Sequence, residues 1–376
     1  MQNTNKVYFP THYELIKERI THINPIKYAK TRNFINGQIT YLSPYISRGV
    51  ISTKQILDSI LKKDIPLSSS EKLIQELAWR EYYQRVWQEK QDLIWEDLKQ
   101  KQSDVAHNIM ISNVQNAKTG IDIIDKNIKS LYEIGYVHNH IRMYLAAIVC
   151  NIGKAHWKEP AKWFYYHLLD ADIASNNCSW QWVAGCFSNK KYYCNQENIN
   201  KYTFSSQTNT FLDKSYEAFA NMSIPEVLSE INILELKTLL PITPLPVMNI
   251  HLPTLIYNSY NLDPLWRKDE KVNRILLLEP SHFNKYPIND IVLRFIINLS
   301  ANIPGIQVFV GEIQDVMSFY KQAHSYSNEI IISKEHPLFE YYPGIKDTRD
   351  WMFPEVTGYY PSFFNFWNKC QKFLKH

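Results

Sequence analysis

The chain has 376 residues, 45% of them hydrophobic and 21% charged, which excludes disorder and predicts two or three domains, or one large one with an appendage. A formal net charge of +4 is too small for a dedicated nucleic-acid binder, so any phosphate contact has to come from a local basic patch. The five cysteines (Cys150, Cys178, Cys186, Cys194 and Cys370) form no CxxC pair, which argues against a disulfide framework and against a zinc or iron–sulfur site. No apolar leader opens the sequence, and the longest uncharged apolar stretch, around Tyr144–Ile152, is too short for a bilayer. The expected setting is therefore the reducing cytoplasm, with no membrane and no metal. Aromatic residues make up 14%; that many rings suit a large core, a flat ligand or stacked bases.

To about Pro225 the apolar spacing is helical. It predicts helices over Thr53–Lys63, Glu71–Lys90, Gly120–Gly135 and Val137–Ile152, the first of them read as part of a helix at Ile46–Leu61. Ser70 reads as the N-cap of the second of these. Residues 1–240 are thus expected to form an all-α domain. The stretch PITPLPVMNIHLP (241–253) holds four prolines and predicts a linker, drawn over 241–270. Beyond it RILLLEP (274–280) reads as a strand, Asn289–Asn302 as a helix, Ile306–Gly311 as a strand, Ile313–Ala323 as a helix and Glu329–Ser333 as a strand. That rhythm predicts a small parallel α/β, Rossmann-like unit over 271–376. The fold class is mainly α: an all-α helical domain followed by a small α/β unit.

Four clusters in the helical region carry chemistry. Thr40-Tyr41-Leu42-Ser43 precedes a helix, where free backbone N–H groups favour an anion as readily as a simple cap. Glu76 and Arg80 are four apart on one helix face and are expected to pair, with Trp79 beside them in the core or as a stacking platform. Asn139, Arg142 and Met143 share a face that suits the wall of a site or a polar interhelix contact. The densest cluster runs from Asp170 to Trp182, with two aspartates, two asparagines and two tryptophans. Such polar density beside bulky rings calls for a ligand or an ion pair. Trp180 and Trp182, about 200° apart on a helix, point to opposite sides.

The runs LLDADIASNNCSWQWVAG (168–185), KTGID (118–122) and GYVHNHIRM (135–143) resemble the FAD-binding helical domain of the cryptochrome/DNA photolyase family, over about residues 1–225. The resemblance implies a bent FAD held by Tyr28, Thr40, Leu42, Ser43, Arg80, Arg142, Asp170, Asp172 and Asn176. In it Thr40, Leu42 and Ser43 sit at the pyrophosphate, with Arg80 near the phosphates. Arg142 and Asp170 pair over the isoalloxazine, Asp172 meets the flavin edge and Asn176 faces flavin N5. It further implies a pyrimidine-dimer pocket formed by Glu76, Trp79, Asn139, Met143 and Trp182, with damaged DNA as the partner. The (6-4) enzymes carry histidines where Asn139 and Met143 stand, so cyclobutane dimers are the implied substrate. Trp180 and Trp157 match the first two members of the family's electron-relaying tryptophans, and the outer position is Asp104. Leu73, Tyr136 and His140 also depart from the family pattern, and the usual leading α/β domain is absent. Light-driven repair is the expected function, and a non-repairing cryptochrome-type photoreceptor is the alternative.

Overall fold

The computed structural model describes residues 7–322 and 330–374. Helices run in the order α1 (Tyr13–Thr21), α2 (Pro25–Thr31), α3 (Ser43–Ser47), α4 (Thr53–Leu61), α5 (Leu67–Lys90), α6 (Ser112–Gln115), α7 (Asp122–Ile134), α8 (Asn139–Ala147), α9 (Lys158–His167), α10 (Ile173–Ala184) and α11 (Gln196–Thr203). There follow α12 (Pro280–Lys285), α13 (Asp290–Ser300), α14 (Ile313–Gln322) and α15 (Phe363–Cys370). Strands are β1 (Met110–Ile111), β2 (Ile231–Asn232), β3 (Thr254–Tyr257), β4 (Asn273–Leu278), β5 (Ile306–Val310), β6 (Ile331–Lys334) and β7 (Ile345–Asp347).

The chain divides into two compact units, each drawn from three segments. The helical unit takes Asn24–Ile39, Ile65–Glu235 and Val356–His376. Its spine is α5, whose first turn follows Pro66. Ser70 therefore lies inside the helix, buried, and is not the N-cap the sequence suggested; Pro66, with its fixed φ, is the N-cap of a helix that starts four residues earlier. Helix α7 buries Ile124, Ile128 and Leu131, the apolar stripe its periodicity predicts. Gly135 ends it at φ +67, where its N–H donates to Leu131 O at 2.9 Å. Helix α8 continues into a fully buried π turn over Ile148–Ile152.

The α/β unit takes Met1–Ile23, Thr40–Asp64 and Leu236–Glu355. Among the described residues its sheet is five-stranded, in the order β5-β4-β3-β6-β7, with every pairing parallel. In chain order that is third, second, first, fourth, fifth, a doubly wound arrangement. Its central strand β3 lies inside the stretch read as linker: the prolines of 241–253 end just before it, and all four of its residues are buried. Ala323 and Glu329, the ends of two predicted elements, lie outside the described residues.

The helix expected over Ile46–Leu61 is two helices. Between α3 and α4 Gly49 sits at φ +64, and a Cβ there would meet Tyr260 O at 2.3 Å, so the turn accepts only glycine. Ser52 and Gln55 form a capping box that restarts the chain as α4. The apolar faces of these early helices are satisfied within the α/β unit: the Tyr45 ring lies 5.9 Å from Phe295 of α13, and Tyr13 N donates to Asn302 Oδ1 at 2.9 Å. Periodicity shows that such a face needs covering and does not name the partner.

Burial also sets a pH limit. It pushes His138 and His167 of the helical unit down to about 4 and His282 of the α/β unit down to about 3. The unfolded chain binds more protons than the folded one between these values and the ordinary histidine range, so their contribution is intact above about pH 6.5 and falls as pH drops toward 4. The expected slope is about 1.4 kcal/mol per pH unit for each such histidine. Urea midpoints measured from pH 7 to pH 4 check this, and midpoints unchanged across that range would contradict it.

Candidate functional site

The densest sequence cluster forms the start of α10. Asp172 is its N-cap: Oδ1 accepts from Ser175 N at 2.8 Å, and Gln84 Nε2 donates to both carboxylate oxygens at 2.9 and 2.7 Å. The carboxylate is 1% exposed, and Arg80 Nη1 lies 3.2 Å from Oδ2. A buried charge with this many donors is fully compensated. Two residues earlier, in the turn before α10, Asp170 Oδ2 accepts from Arg142 Nη2 at 2.9 Å. Arg142 is held in turn by Nε donating to Val137 O at 2.8 Å and by the Tyr136 ring 5.3 Å away.

These bonds correct the expected Glu76–Arg80 pair. Arg80 serves Asp172, and Glu76 pairs with Arg32 of the helix C-cap after α2, at 3.3 Å. The buried carboxylate has more to gain from a guanidinium than the Glu76 side chain, which is 37% exposed. Burial still raises the Glu76 carboxyl above the usual range, and Arg32 opposes that rise. Tyr28 of α2 lies close enough for Glu76, Arg32 and Tyr136 to act on it, and burial pushes its phenol up.

Asn176 donates through Nδ2 to Ala161 O of α9 at 2.9 Å. Trp180 is buried edge-on against Phe164 at 5.3 Å, whereas Trp182 is half-buried beside Tyr192 at 5.8 Å. The two rings take different environments, as their spacing predicts. Trp157 is wholly buried, and its Nε1 donates to Asp97 Oδ1 at 2.7 Å. At the start of α8, Asn139 is exposed and Met143 half-buried. All five cysteines are free and buried, the inert form of the residue.

Trp79 is engaged in a way the sequence did not disclose. Phe363 of α15 stacks on it with ring centroids 3.8 Å apart and planes 9° from parallel. Tyr83 and Tyr82 lie 5.4 and 5.8 Å from the same ring. Thr40, Leu42 and Ser43 belong to the α/β unit: Leu42 is buried, Thr40 Oγ1 accepts from Leu42 N at 3.4 Å, and Ser43 opens the five-residue α3.

Sequence reasoning missed Arg32, Gln84, Asp97 and Phe363. For Gln84 a signal existed, since residues 76, 80 and 84 recur at the helical period. Arg32 and Asp97 reach the site from a short helix end and a loop, where no period operates.

A cluster of partly exposed guanidiniums, fixed carboxylates and side-chain amides beside flat rings suits a ligand with phosphates and a heteroaromatic plane. Ser175 Oγ, on the first turn of α10, is buried without a hydrogen-bond partner among the described residues, as a donor set built for a bound group would leave it. The family model described as the FAD binding domain of DNA photolyase matches residues 73–220. Deoxyribodipyrimidine photo-lyase of Buchnera aphidicola from the pea aphid (Acyrthosiphon pisum) is 29% identical over 205 residues, covering 50% of this chain and 41% of that protein. The Escherichia coli protein of the same name is 29% identical over 170 residues, covering 42% and 35%. The chain thus spans less than half the length of these relatives. Among solved structures, a Synechocystis cryptochrome superposes with a TM-score of 0.46 at 22% identity, covering 52% of this chain and 44% of that one. An archaeal photolyase from Sulfolobus tokodaii gives 0.44 at 20% identity, covering 54% and 46%. Residues 73–220 of this chain are thus similar to the FAD-binding domain of DNA photolyase, a domain whose cofactor is FAD. No described helix is long and apolar enough to cross a membrane.

Proposed function

We propose that the protein repairs cyclobutane pyrimidine dimers in DNA, using blue or near-UV light. The observation that carries this reading is the placement of Glu76 on α5, one helix turn before the Trp79 ring and before Arg80, which reaches the Asp172 cap of α10 at 3.2 Å. Bound FAD supplies light-driven one-electron transfer. The Arg142–Asp170 pair orients the flavin, and Arg80 and Tyr28 of the same unit serve its remaining length. Asp172 and Asn176 meet the flavin edge. Trp79 and Trp182 give a flipped dimer flat walls, Asn139 reads base edges and Met143 fills the apolar side. Glu76 shares its proton with a dimer carbonyl as charge develops there. Trp180 and Trp157 relay electrons that photoreduce the flavin. Lysines and arginines around the opening bind phosphates, so affinity falls with salt.

A blue-light photoreceptor that binds FAD without repair is the second reading, and one observation favours it. The Trp79 face on which a flipped base would stack carries Phe363.

The deciding test illuminates the reduced, FAD-loaded protein with a dimer-containing oligonucleotide and follows restored pyrimidine absorbance. Repair is expected, and Glu76→Gln, which keeps the shape and loses the exchangeable proton, is expected to lower the quantum yield roughly tenfold or more. A photoreducible flavin without any repair transfers the protein to the photoreceptor class.

A further inference from the structure

Trp157 is fully buried, yet its indole N–H is joined to a carboxylate that reaches the surface. Asp97 is 17% exposed, and its Oδ1 accepts from Trp157 Nε1 at 2.7 Å. The carboxylate is fixed by Gln102 N donating to Oδ2 at 2.9 Å. Gln102 also accepts from Trp157 N through Oε1 at 3.0 Å and donates to Ala155 O at 2.9 Å, so the pair is clamped from both sides. His156 Nε2 lies 3.4 Å from Oδ1, and the Cys186 thiol also faces the carboxylate, which helps to push that thiol up.

A buried indole N–H needs an acceptor, and a neutral one suffices: Trp163 donates to the Tyr132 hydroxyl at 3.2 Å. A carboxylate adds a base. One-electron oxidation makes an indole N–H strongly acidic, and a carboxylate within 2.6–3.2 Å is placed to take the proton. The position that the family resemblance assigns to an outer tryptophan holds Asp104, which is 66% exposed, ion-paired with Lys191 at 2.9 Å and offers no oxidisable ring. Resting on the photolyase-type reading above, we infer that the electron relay of this chain ends at Trp157 and that Asp97 is the proton acceptor that ends it.

The step balances within the chain. Trp180, after giving one electron to the photoexcited flavin that is the oxidant, takes one electron from Trp157. The oxidised Trp157 then loses its N–H proton to Asp97 Oδ1, and the bonding pair stays on the ring nitrogen. A neutral indolyl radical and a neutral carboxylic acid remain. The electron can return only with its proton, so the separated state persists. Asp97 touches the reacting nitrogen, which makes it a catalytic residue of photoreduction.

Flash photolysis of the FAD-loaded protein, reading tryptophan radical spectra rather than repair, tests this. Wild type is expected to show the neutral indolyl radical, formed more slowly in D2O than in H2O. Asp97→Asn, which keeps the hydrogen bond and removes the base, is expected to show only the radical cation, with a lifetime shortened about tenfold. Trp157→Phe is expected to lose the long-lived tryptophan radical. A neutral radical of unchanged yield and lifetime in Asp97→Asn, or a long-lived radical surviving in Trp157→Phe, overturns the inference. Should Asp97→Asn fail to fold, a wild-type radical that forms equally fast in D2O overturns it as well. A flavin-loaded wild type that yields no tryptophan radical under light sinks the photolyase-type reading itself.

Discussion

Replacing Asp170 with asparagine is expected to strip FAD from the purified protein. The substitution keeps the side-chain shape and removes the charge that faces Arg142 Nη2 at 2.9 Å. Asp170 is 5% exposed and Arg142 22%, so the guanidinium would be left in a half-buried place without its counter-ion. Removing one partner of a fully buried pair costs about 3–5 kcal/mol. The partial exposure of Arg142 reduces that to about 2–3 kcal/mol, or roughly 30- to 150-fold in FAD affinity if the loss falls on the bound state. Arg142 would keep its bond to Val137 O and its place over the Tyr136 ring, so the helical unit is expected to stay folded by circular dichroism. Flavin absorbance per chain after gel filtration, with a titration of added FAD, is the measurement. Stoichiometric FAD and an unchanged Kd in the variant would remove the Arg142–Asp170 pair from the cofactor site.

Much of this site could be read from the chain because it is local. Asp172, Ser175, Asn176 and Trp180 lie on one helix and its cap, where spacing fixes direction. The partners of those residues are not local. Gln84 reaches Asp172 across 88 positions of sequence, and Arg142 reaches Asp170 across 28. The Glu76–Arg80 pair had the right spacing and still lost to longer-range competitors, because a weak (i, i+4) interaction yields to a buried charge in need of a donor. The same contrast runs through the fold. Strands β4, β5 and β6 follow from apolar runs between turn signals, whereas β3 is four residues long and hides behind four prolines. That segments 1–23 and 40–64 join the α/β unit rests on which apolar face covers which, a choice that periodicity leaves open.

Removing the Phe363 ring is the prediction that separates the two functional readings. Phe363 is 3% exposed and packs 6.3 Å from Trp367 within α15 as well as on Trp79, so Phe363→Ala should destabilise the helical unit by about 3–5 kcal/mol. Phe363→Leu keeps much of the volume and removes only the flat face, at a cost of about 1.5 kcal/mol or less, and is the variant to use. If Trp79 is a wall for a flipped dimer, Phe363 competes with the base for it, and an offset-stacked aromatic pair is worth about 0.5–1.5 kcal/mol beyond its buried area. Phe363→Leu should then bind a dimer-containing oligonucleotide several-fold more tightly, up to about tenfold, with undamaged DNA unaffected. Trp79→Ala should abolish that gain when combined with it, because the two changes act on one contact. Fluorescence anisotropy with damaged and undamaged duplexes at fixed salt measures both. Equal affinity of wild type and Phe363→Leu for the damaged strand would mean that the stack is permanent packing. Trp79 would then be a core residue, and the flavin of the helical unit would serve the photoreceptor rather than repair.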